Sequence, residues 1–364
     1  MTTIPTVASD STPAGVPAAD PEAVTERLLQ VLNDGAIAVL ASIGHQTGLF
    51  ETLATLPPVT SAQLADAAGL DERYVREWLG GVVTAGFVDY DPGTSGYALR
   101  ADHAPFLTGP SADNLARALQ YVTLMGQTTP GIVEAFRHGG GLDYAAYPGF
   151  HDLQASDSGA VLDAILLDEI LPLTGETDRL RAGIDVADVG CGQGHAVNLL
   201  ARAFPASRFT GFDFEPDVIA TARAEAAAWG LTNATFAVRD VAGEPSPAAY
   251  DLVTAFDTIH DQARPAEVLQ HIAACLRPGG TFLMGDIDAS SRLENNLDLP
   301  WASFLYAIST THCMSVSLAQ GGAGLGTVWG VELAEQMIRE AGFGSVERHR
   351  LAANPFEVYV VARR

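Results

Sequence analysis

Three glycines, Gly190, Gly192 and Gly194, fall within five residues directly after the short apolar run IDVADV. Glycine lets the backbone come close to a ligand and adopt a positive φ, and the start of the helix that follows offers unpaired N–H groups. Asp213 stands 23 residues after Gly190, at the end of the next strand-like run, SRFTGFD. At the carboxyl edge of a parallel sheet, a carboxylate in this place reaches both hydroxyls of a ribose. The pattern predicts a site for a ribose-containing ligand, and a purely structural glycine turn is the alternative.

The residues around the glycines indicate which nucleotide the loop suits. A dinucleotide site, as in a nicotinamide dehydrogenase, reads G-x-G-x-x-G and places a pyrophosphate on the helix N-terminus. This loop reads G-x-G-x-G and has His195 where the last glycine would stand, and Asp188 lies just ahead of it. A negative charge beside the loop favours a cationic ligand over a pyrophosphate. S-adenosylmethionine, which carries a sulfonium and an ammonium group, is such a ligand.

The elements that must hold this site alternate regularly from Ile184 onward. Short strand-like runs alternate with helical runs as far as GTFLMGDID, and this βαβα order indicates a mainly parallel sheet with helices on both faces. The C-terminal stretch SVERHRLAANPFEVYVVARR divides at Asn354-Pro355 and predicts an antiparallel closing hairpin. The expected fold class is therefore α/β, with a Rossmann-like, doubly wound sheet.

The N-terminal part of the chain has a different pattern. A long apolar helix over 23–50, two shorter helical runs and the turn-rich stretch FVDYDPGTSGYALR predict a mainly helical winged-helix domain over 21–110. A winged helix can read DNA, but this region holds four arginines against eleven acids and has no basic face. A dimerisation or pocket-covering role therefore fits better than that of a transcription regulator. We expect a disordered tail at 1–20, connecting helices at 111–175 and the ligand-binding domain at 176–364.

Composition argues against several other functions. The 364-residue chain has a net charge of −24, which repels phosphate backbones and disfavours nucleic acid as a partner. All 20 basic residues are arginine, so neither a lysine Schiff base nor a P-loop lysine is available. The three scattered cysteines show no disulfide framework, no run of 18 apolar residues predicts a membrane span, and no signal-peptide pattern opens the chain. Without a disulfide framework, we expect the protein in the reducing cytoplasm. We also expect a homodimer, because the long first helix would leave an apolar face exposed in a single copy.

Taken together, the motifs of the second half resemble those of class I S-adenosylmethionine-dependent methyltransferases. They follow one another in that family's order over about 184–290: DVGCGQG, FTGFD, VRD, YDLVTAFD and CLRPGG. The winged-helix front end is similar to that of two-domain small-molecule methyltransferases, which include plant phenolic and bacterial polyketide O-methyltransferases. The segment SLAQGGAGLGTVWG looks closer to a group of actinobacterial winged-helix methyltransferases. The resemblance implies methyl transfer from S-adenosylmethionine to an oxygen of a small aromatic or secondary metabolite. A nitrogen or carbon acceptor, and a cofactor-retaining enzyme that does not methylate, are the alternatives.

The same resemblance implies which residues hold the cofactor. Gly190, Cys191 and Gly192 would line its methionine part, and Asp213 would hold the ribose. The remaining implied residues are Asp188 ahead of the loop, Phe214 beside the adenine, Asp240 on the adenine amino group with the Val241 backbone next to it, and Phe256 with Asp257 as the floor after the fourth strand. For Asp240, an ordinary strand-end or helix-capping acid is the alternative.

Transfer to a hydroxyl also needs a general base, which is usually histidine. His260, in FDTIHDQ, matches the catalytic histidine of phenolic O-methyltransferases, whose motif reads HDW, and Asp261 would orient its imidazole or contact substrate. Here Gln262 replaces the tryptophan, so a substrate contact, a cofactor contact and a structural role stay open for His260. His312 and Cys313 are the alternative working groups.

Two aromatic stretches are candidates for the substrate pocket. Residues 301–330 make an unusually long connection, which predicts a lid or pocket wall, with a packed helical insert as the alternative. In GLDYAAYPGF, aromatic residues spaced three apart would cover the sulfonium by cation–π contact or pack on the core. The predicted pocket residues are Tyr144, Tyr147, Trp301, Tyr306, His312, Cys313 and Trp329. Asp286 and Asp288 alone do not make a metal site, so we expect no metal.

Overall fold

The computed structural model of the chain describes residues 20–243 and 248–364. The tail expected at 1–20 lies outside the described residues except for Asp20, whose side chain caps the first helix by accepting a hydrogen bond from the N–H of Glu22. The first four helices and a two-stranded hairpin enclose one apolar core, as the winged-helix pattern predicts. These elements are α1 (Pro21–Gln46), α2 (Leu49–Ala54), α3 (Ser61–Ala68), α4 (Glu72–Thr84), β1 (Val88–Asp91) and β2 (Gly96–Leu99).

The long apolar helix expected over 23–50 is two helices in the structure. Gly48 adopts a left-handed conformation with φ of 67°, which ends α1 and turns the chain into α2. The second half of α1 packs on α4, where the indole N–H of Trp78 donates to the carbonyl of Leu40 at 2.8 Å. The first half of α1 exposes Leu28, Leu29 and Leu32. By length and composition alone α1 is apolar enough to cross a membrane, a weak indication that ordinary protein helices also give.

A helical region connects this module to the sheet. Its elements are α5 (Ala104–Leu107), α6 (Leu115–Ala118), α7 (Gln120–His138), α8 (Phe150–Ile165) and α9 (Thr177–Ala182). The glycine-rich stretch after His138 interrupts the helices and carries one 3-10 turn, Tyr144–Ala146. The helices therefore break where the sequence pattern predicts, and α8 runs past the edge of the sheet.

The second half of the chain contains a seven-stranded sheet. Its strands are β3 (Asp185–Val189), β4 (Arg208–Asp213), β5 (Ala234–Val238), β6 (Tyr250–Phe256), β7 (Leu276–Ile287), β8 (Ser345–Leu351) and β9 (Asn354–Arg363). They lie in the order β5-β4-β3-β6-β7-β9-β8, and only β9 runs against the others. This confirms the expected Rossmann-like sheet with an antiparallel closing hairpin.

An apolar core covers each face of this sheet, so its strands are buried on both sides. The covering helices are α10 (His195–Ala203), α11 (Pro216–Ala228), α12 (Pro265–Cys275) and α15 (Val331–Glu340). Between β7 and α15 the chain forms α13 (Ala302–Ile308), a π-helical turn (Ser309–Cys313) and α14 (Met314–Ala319). The carboxyl ends of β3, β4, β6 and β7 meet at one edge of the sheet, opposite α8 and this insert.

Candidate active site

A cavity lies over the glycine loop at the carboxyl edge of the sheet. We call it the glycine-loop cavity. Eight of the residues implied to hold the cofactor line it together: Asp188, Gly190, Cys191, Gly192, Asp213, Phe214, Phe256 and Asp257. They come from the ends of three strands and the loops that follow them. The topology of the sheet therefore gathers residues that are up to 69 positions apart in the chain.

The glycines of this loop are required for different reasons, although all three have positive φ. A Cβ on Gly190 would lie 2.0 Å from the hydroxyl oxygen of Thr258, so the close packing of β3 on the loop after β6 excludes a side chain there. A Cβ on Gly194 would lie 2.6 Å from side chains of Ala222 and Phe236. Only Gly192 faces open space. It is the glycine that lets the backbone itself form the wall of the cavity.

Carboxylates dominate the polar wall of the glycine-loop cavity. Asp213 accepts hydrogen bonds from the N–H of Gly192 at 2.9 Å and of Glu215 at 3.0 Å. Asp188 accepts one from the hydroxyl of Thr254 at 2.5 Å. Burial raises the pKa of Asp213, and burial together with the nearby charge of Asp213 raises the pKa of Asp188 to about 7. None of the described residues that line the cavity is an arginine, so a bound cation would relieve this excess of negative charge.

The expected adenine end corresponds to a separate cavity beyond Phe214, which shares Tyr144, Phe214, Asp261 and Gln262 with the glycine-loop cavity. Asp240 lines it, and its carboxylate accepts from the Ala242 N–H at 2.8 Å and binds Arg264 at 2.9 Å. The carbonyl of Val241 points into the packing between the sheet and α12, where it meets Nδ1 of His271 at 2.8 Å. Asp240 is thus both a loop-capping acid and part of the cavity wall.

His260 lines a second cavity, which we call the His260 cavity. Nδ1 of His260 lies 2.9 Å from Oδ1 of Asp286, at the end of β7. The same oxygen accepts from the indole of Trp329 at 3.3 Å. Burial lowers the pKa of His260 most strongly, but the charges of Asp286 and Cys313 and their hydrogen bonds outweigh this and raise it well above its usual value. Because Nδ1 faces Asp286, Nε2 is the ring nitrogen on the side of Cys313 and of the cavity.

The carboxylate that orients His260 is Asp286, whereas sequence analysis assigned this role or a substrate contact to Asp261. Asp261 instead accepts a hydrogen bond from the hydroxyl of Tyr144 at 2.8 Å. Asp261 lies in the wall between the two cavities, which share four lining residues: Gln154, Ser158, Asp257 and Asp261. The two cavities therefore adjoin each other.

Two of the seven predicted pocket residues, His312 and Cys313, line the His260 cavity. Tyr144 lines the glycine-loop cavity, and Trp329 lies behind the His260 cavity as a partner of Asp286. The other three do not line either cavity. Tyr147 donates to the carbonyl of Thr311 at 2.6 Å, Trp301 packs on Phe356 with ring centres 4.3 Å apart, and Tyr306 accepts from Asn296 at 3.1 Å.

The insert over 301–330 was expected to be either a pocket wall or a packed helical insert. In the structure its helices are packed, and they also form a wall of the His260 cavity. His312 sits in its π-helical turn and stacks on Phe150, with ring centres 3.6 Å apart. Sequence analysis missed the contribution of α8, whose residues Gln154 and Ser158 border both cavities and belong to no motif. In the described residues, no cluster of His, Cys, Asp and Glu could hold a metal ion, and Asp288 pairs with Arg350 instead.

Comparison with known families accounts for both parts of the chain. Residues 35–109 match the model of a Rv2258c-like winged HTH domain, and residues 180–342 match that of a methyltransferase domain. The trans-aconitate 2-methyltransferase of Escherichia coli is 34% identical over 97 residues, which are 27% of this chain. The chain thus matches 36% of the length of that curated relative.

Solved structures share the whole two-domain architecture. A putative O-methyltransferase from Nostoc punctiforme superposes with a TM-score of 0.70 at 20% identity, covering 95% of this chain and 100% of its own. The mitomycin 7-O-methyltransferase MmcR gives 0.68 at 19%, with 94% and 98% covered. Human N-acetylserotonin methyltransferase, solved with S-adenosylmethionine, gives 0.68 at 17%, with 96% and 99% covered. At these identities the likeness establishes the fold.

Proposed function

Because the chain carries a Rv2258c-like winged-helix domain followed by a methyltransferase domain, we propose that it is an S-adenosylmethionine-dependent O-methyltransferase for a small aromatic molecule. One observation carries this proposal: a carboxylate-lined cavity over a glycine loop adjoins an aromatic cavity that contains a His–Asp pair. A dehydrogenase would need a wall that tolerates pyrophosphate. The five buried or half-buried carboxylates of this cavity oppose that: Asp188, Asp213, Glu215, Asp257 and Asp261.

The residues of the glycine-loop cavity fit S-adenosylmethionine. Gly192 leaves room for a close approach to its backbone, and Asp188 supplies a buried carboxylate beside the loop for the ammonium group. Asp213 would hold the ribose hydroxyls, with Phe214 beside the adenine and Asp240 at the far end. When bound, the cofactor supplies a methyl group already activated by positive sulfur, so the protein needs mainly to align the acceptor.

The acceptor hydroxyl would lie against Nε2 of His260 and lose its proton to that nitrogen. Asp286 holds Nδ1 and stabilises the imidazolium that forms, and Trp329 fixes Asp286 in turn. In the free protein, Asp286 raises the pKa of His260, which favours the protonated imidazole. A cation in the adjoining cavity repels that proton and lowers the pKa of His260 toward the range in which it accepts one. Cofactor binding would therefore prepare the base.

The proposed role of His260 is tested by replacing it with asparagine. Wild type and His260→Asn are compared for transfer of a labelled methyl group to a panel of phenols and naphthols. We expect the rate to fall by about 10²- to 10⁴-fold, the usual contribution of a general base, while affinity for S-adenosylhomocysteine stays within about threefold. His349→Asn, on the distant hairpin strand β8, is the matched control. Full turnover by His260→Asn would remove His260 from the mechanism.

We also propose that the protein is a homodimer that pairs through the first half of α1. Val24, Leu28, Val31 and Leu32 are each about half exposed or more in the single chain, and a second copy of the same apolar face would cover them. Light scattering should give twice the chain mass, and Leu28→Glu combined with Leu32→Glu should give monomers. A monomeric wild type would contradict this assembly.

A further inference from the structure

The His260 cavity combines aromatic walls with an unusual number of acids. Four aromatic rings surround it: Tyr121, Phe150, Phe304 and Phe356. Four carboxyl side chains also line it: Asp157, Asp257, Asp261 and Glu357. Of these, Asp157 has a cationic partner, the buried Arg117, at 3.2 Å. None of the described residues that line the cavity is itself an arginine.

Asp257 and Glu357 lie next to each other on the floor of this cavity. The N–H of Asp257 donates to the carbonyl of Gly285, and a Cβ on Gly285 would lie 3.4 Å from Oε2 of Glu357. Oδ1 of Asp257 is buried without a hydrogen-bond partner. Burial raises the pKa of both acids. The charges of Glu357 and Asp286 raise the pKa of Asp257 further, whereas that of His260 lowers it, and hydrogen bonds to Tyr359 and Asn354 lower the pKa of Glu357. Asp257 borders both cavities, whereas Glu357 borders the His260 cavity alone.

Two further polar side chains of the cavity wall lack partners. Both ring nitrogens of His312 are unpaired although the residue is 1% exposed, and the hydroxyl of Thr327 is unpaired at 3% exposure. Burial lowers the pKa of His312 to about 3, so its ring is neutral and can accept a hydrogen bond. Buried polar groups without partners are costly. Their presence in the wall indicates a polar ligand, and the acceptor nitrogen of His312 requires a hydrogen-bond donor from it.

Resting on the proposed methyl transfer, we propose that the acceptor is an aromatic alcohol that carries a basic nitrogen, which binds as a cation against Glu357 and Asp257. An ammonium group offers positive charge and N–H donors. Glu357 has hydrogen-bond partners in Tyr359 and Asn354, but Oδ1 of Asp257 has none, and no Arg or Lys is among the described residues that line the cavity. The aromatic rings contribute cation–π attraction and hold the flat body of the molecule. The hydroxyl at the other end then faces His260.

Matched ligands that differ only in charge test this proposal. Phenols and 2-naphthols bearing an aminoethyl, a propyl or a carboxyethyl group opposite the hydroxyl are titrated calorimetrically into protein saturated with S-adenosylhomocysteine. We expect the amine to bind at least tenfold more tightly than the propyl compound, and the carboxylate not to bind. Amine binding should also release protons, because the cation restores ionisation of the floor acids. This appears as a heat that changes with the ionisation enthalpy of the buffer.

The variant Glu357→Gln should reduce the preference for the amine by tenfold or more without changing affinity for S-adenosylhomocysteine. Glu347→Gln, the same substitution at an exposed position of β8, should leave the preference intact. Equal or better binding of the propyl or carboxylate compounds, an unchanged preference in Glu357→Gln, or no binding by any of the ligands overturns the proposal. Loss of S-adenosylhomocysteine binding in wild type would instead contradict the proposed function, so the two failures are distinguishable.

Discussion

Asp188 is the residue at which stability and cofactor binding should oppose each other. Its carboxylate is buried, 5% exposed, and has one hydroxyl partner, Thr254. Replacing it with asparagine keeps an oxygen that accepts this hydrogen bond and removes the charge. The variant Asp188→Asn should therefore be more stable than the wild type without ligand and weaker in binding S-adenosylmethionine.

The size and pH dependence of the stability change follow from the pKa of Asp188. Burial raises it from 3.8 to about 7 in the folded protein, and each unit corresponds to about 1.4 kcal/mol. An acid with a raised folded-state pKa loses stability as the pH rises from its unfolded value to its folded value. The advantage of Asp188→Asn should thus be below about 1 kcal/mol at pH 4, grow through pH 5 and 6, and level off near about 4 kcal/mol above pH 7.

Thermal unfolding of both proteins between pH 4 and 8 measures this advantage, and calorimetric titration measures affinity for S-adenosylmethionine. At about 2 °C per kcal/mol for a domain of this size, the midpoints should separate by about 8 °C at pH 8 and by less than about 2 °C at pH 4. Affinity should fall about 10- to 100-fold, as expected for one charge-assisted contact. A separation that is the same at both pH values, or an unchanged affinity, would refute the role assigned to Asp188.

Three other substitutions probe the remaining parts of the site. Asp286→Asn should lower the rate of methyl transfer about 10²-fold or more. The pH profile of this rate should shift to lower pH, because the charge that raises the pKa of His260 is gone. An unshifted profile would show that Asp286 does not act through His260. Gly190→Ala should destabilise the protein by about 2 kcal/mol or more, since its Cβ meets Thr258 and its φ is +69°, and Thr258→Ala should recover part of this loss in a double-mutant cycle. Asp157→Leu should cost about 3 kcal/mol by leaving the buried Arg117 without its anion, whereas an unfolding midpoint equal to that of wild type would show that the pair is not needed.

The sequence predicts the site residues that lie at the carboxyl ends of the parallel strands. Residues at strand ends, such as Asp213 and Asp257, follow from the period of the strands and the topology of the fold, because parallel strands end at a common edge. Asp286 obeys the same rule at the end of β7, and this position is the signal that would have identified it as the partner of His260. Sequence analysis assigns the orienting role to Asp261 instead, because Asp261 directly follows His260 in the chain.

The parts that the sequence does not predict depend on packing between distant segments. Tyr147 and Tyr306 have the aromatic character of pocket residues, but their hydroxyl groups find partners inside the insert and its surroundings. Gln154 and Ser158 belong to no motif and reach the site only because α8 crosses the sheet edge. Glu357 lies on the reversed strand, where its register against β7 decides which side it faces.

Calorimetric titration of the purified protein with S-adenosylmethionine, S-adenosylhomocysteine and NAD⁺ tests the central claim most directly. We predict that both adenosyl ligands bind one site per chain, that NAD⁺ does not bind, and that Asp213→Ala abolishes binding while the protein stays folded. Binding of NAD⁺, or no heat with either adenosyl ligand, would contradict the assignment of the glycine-loop cavity.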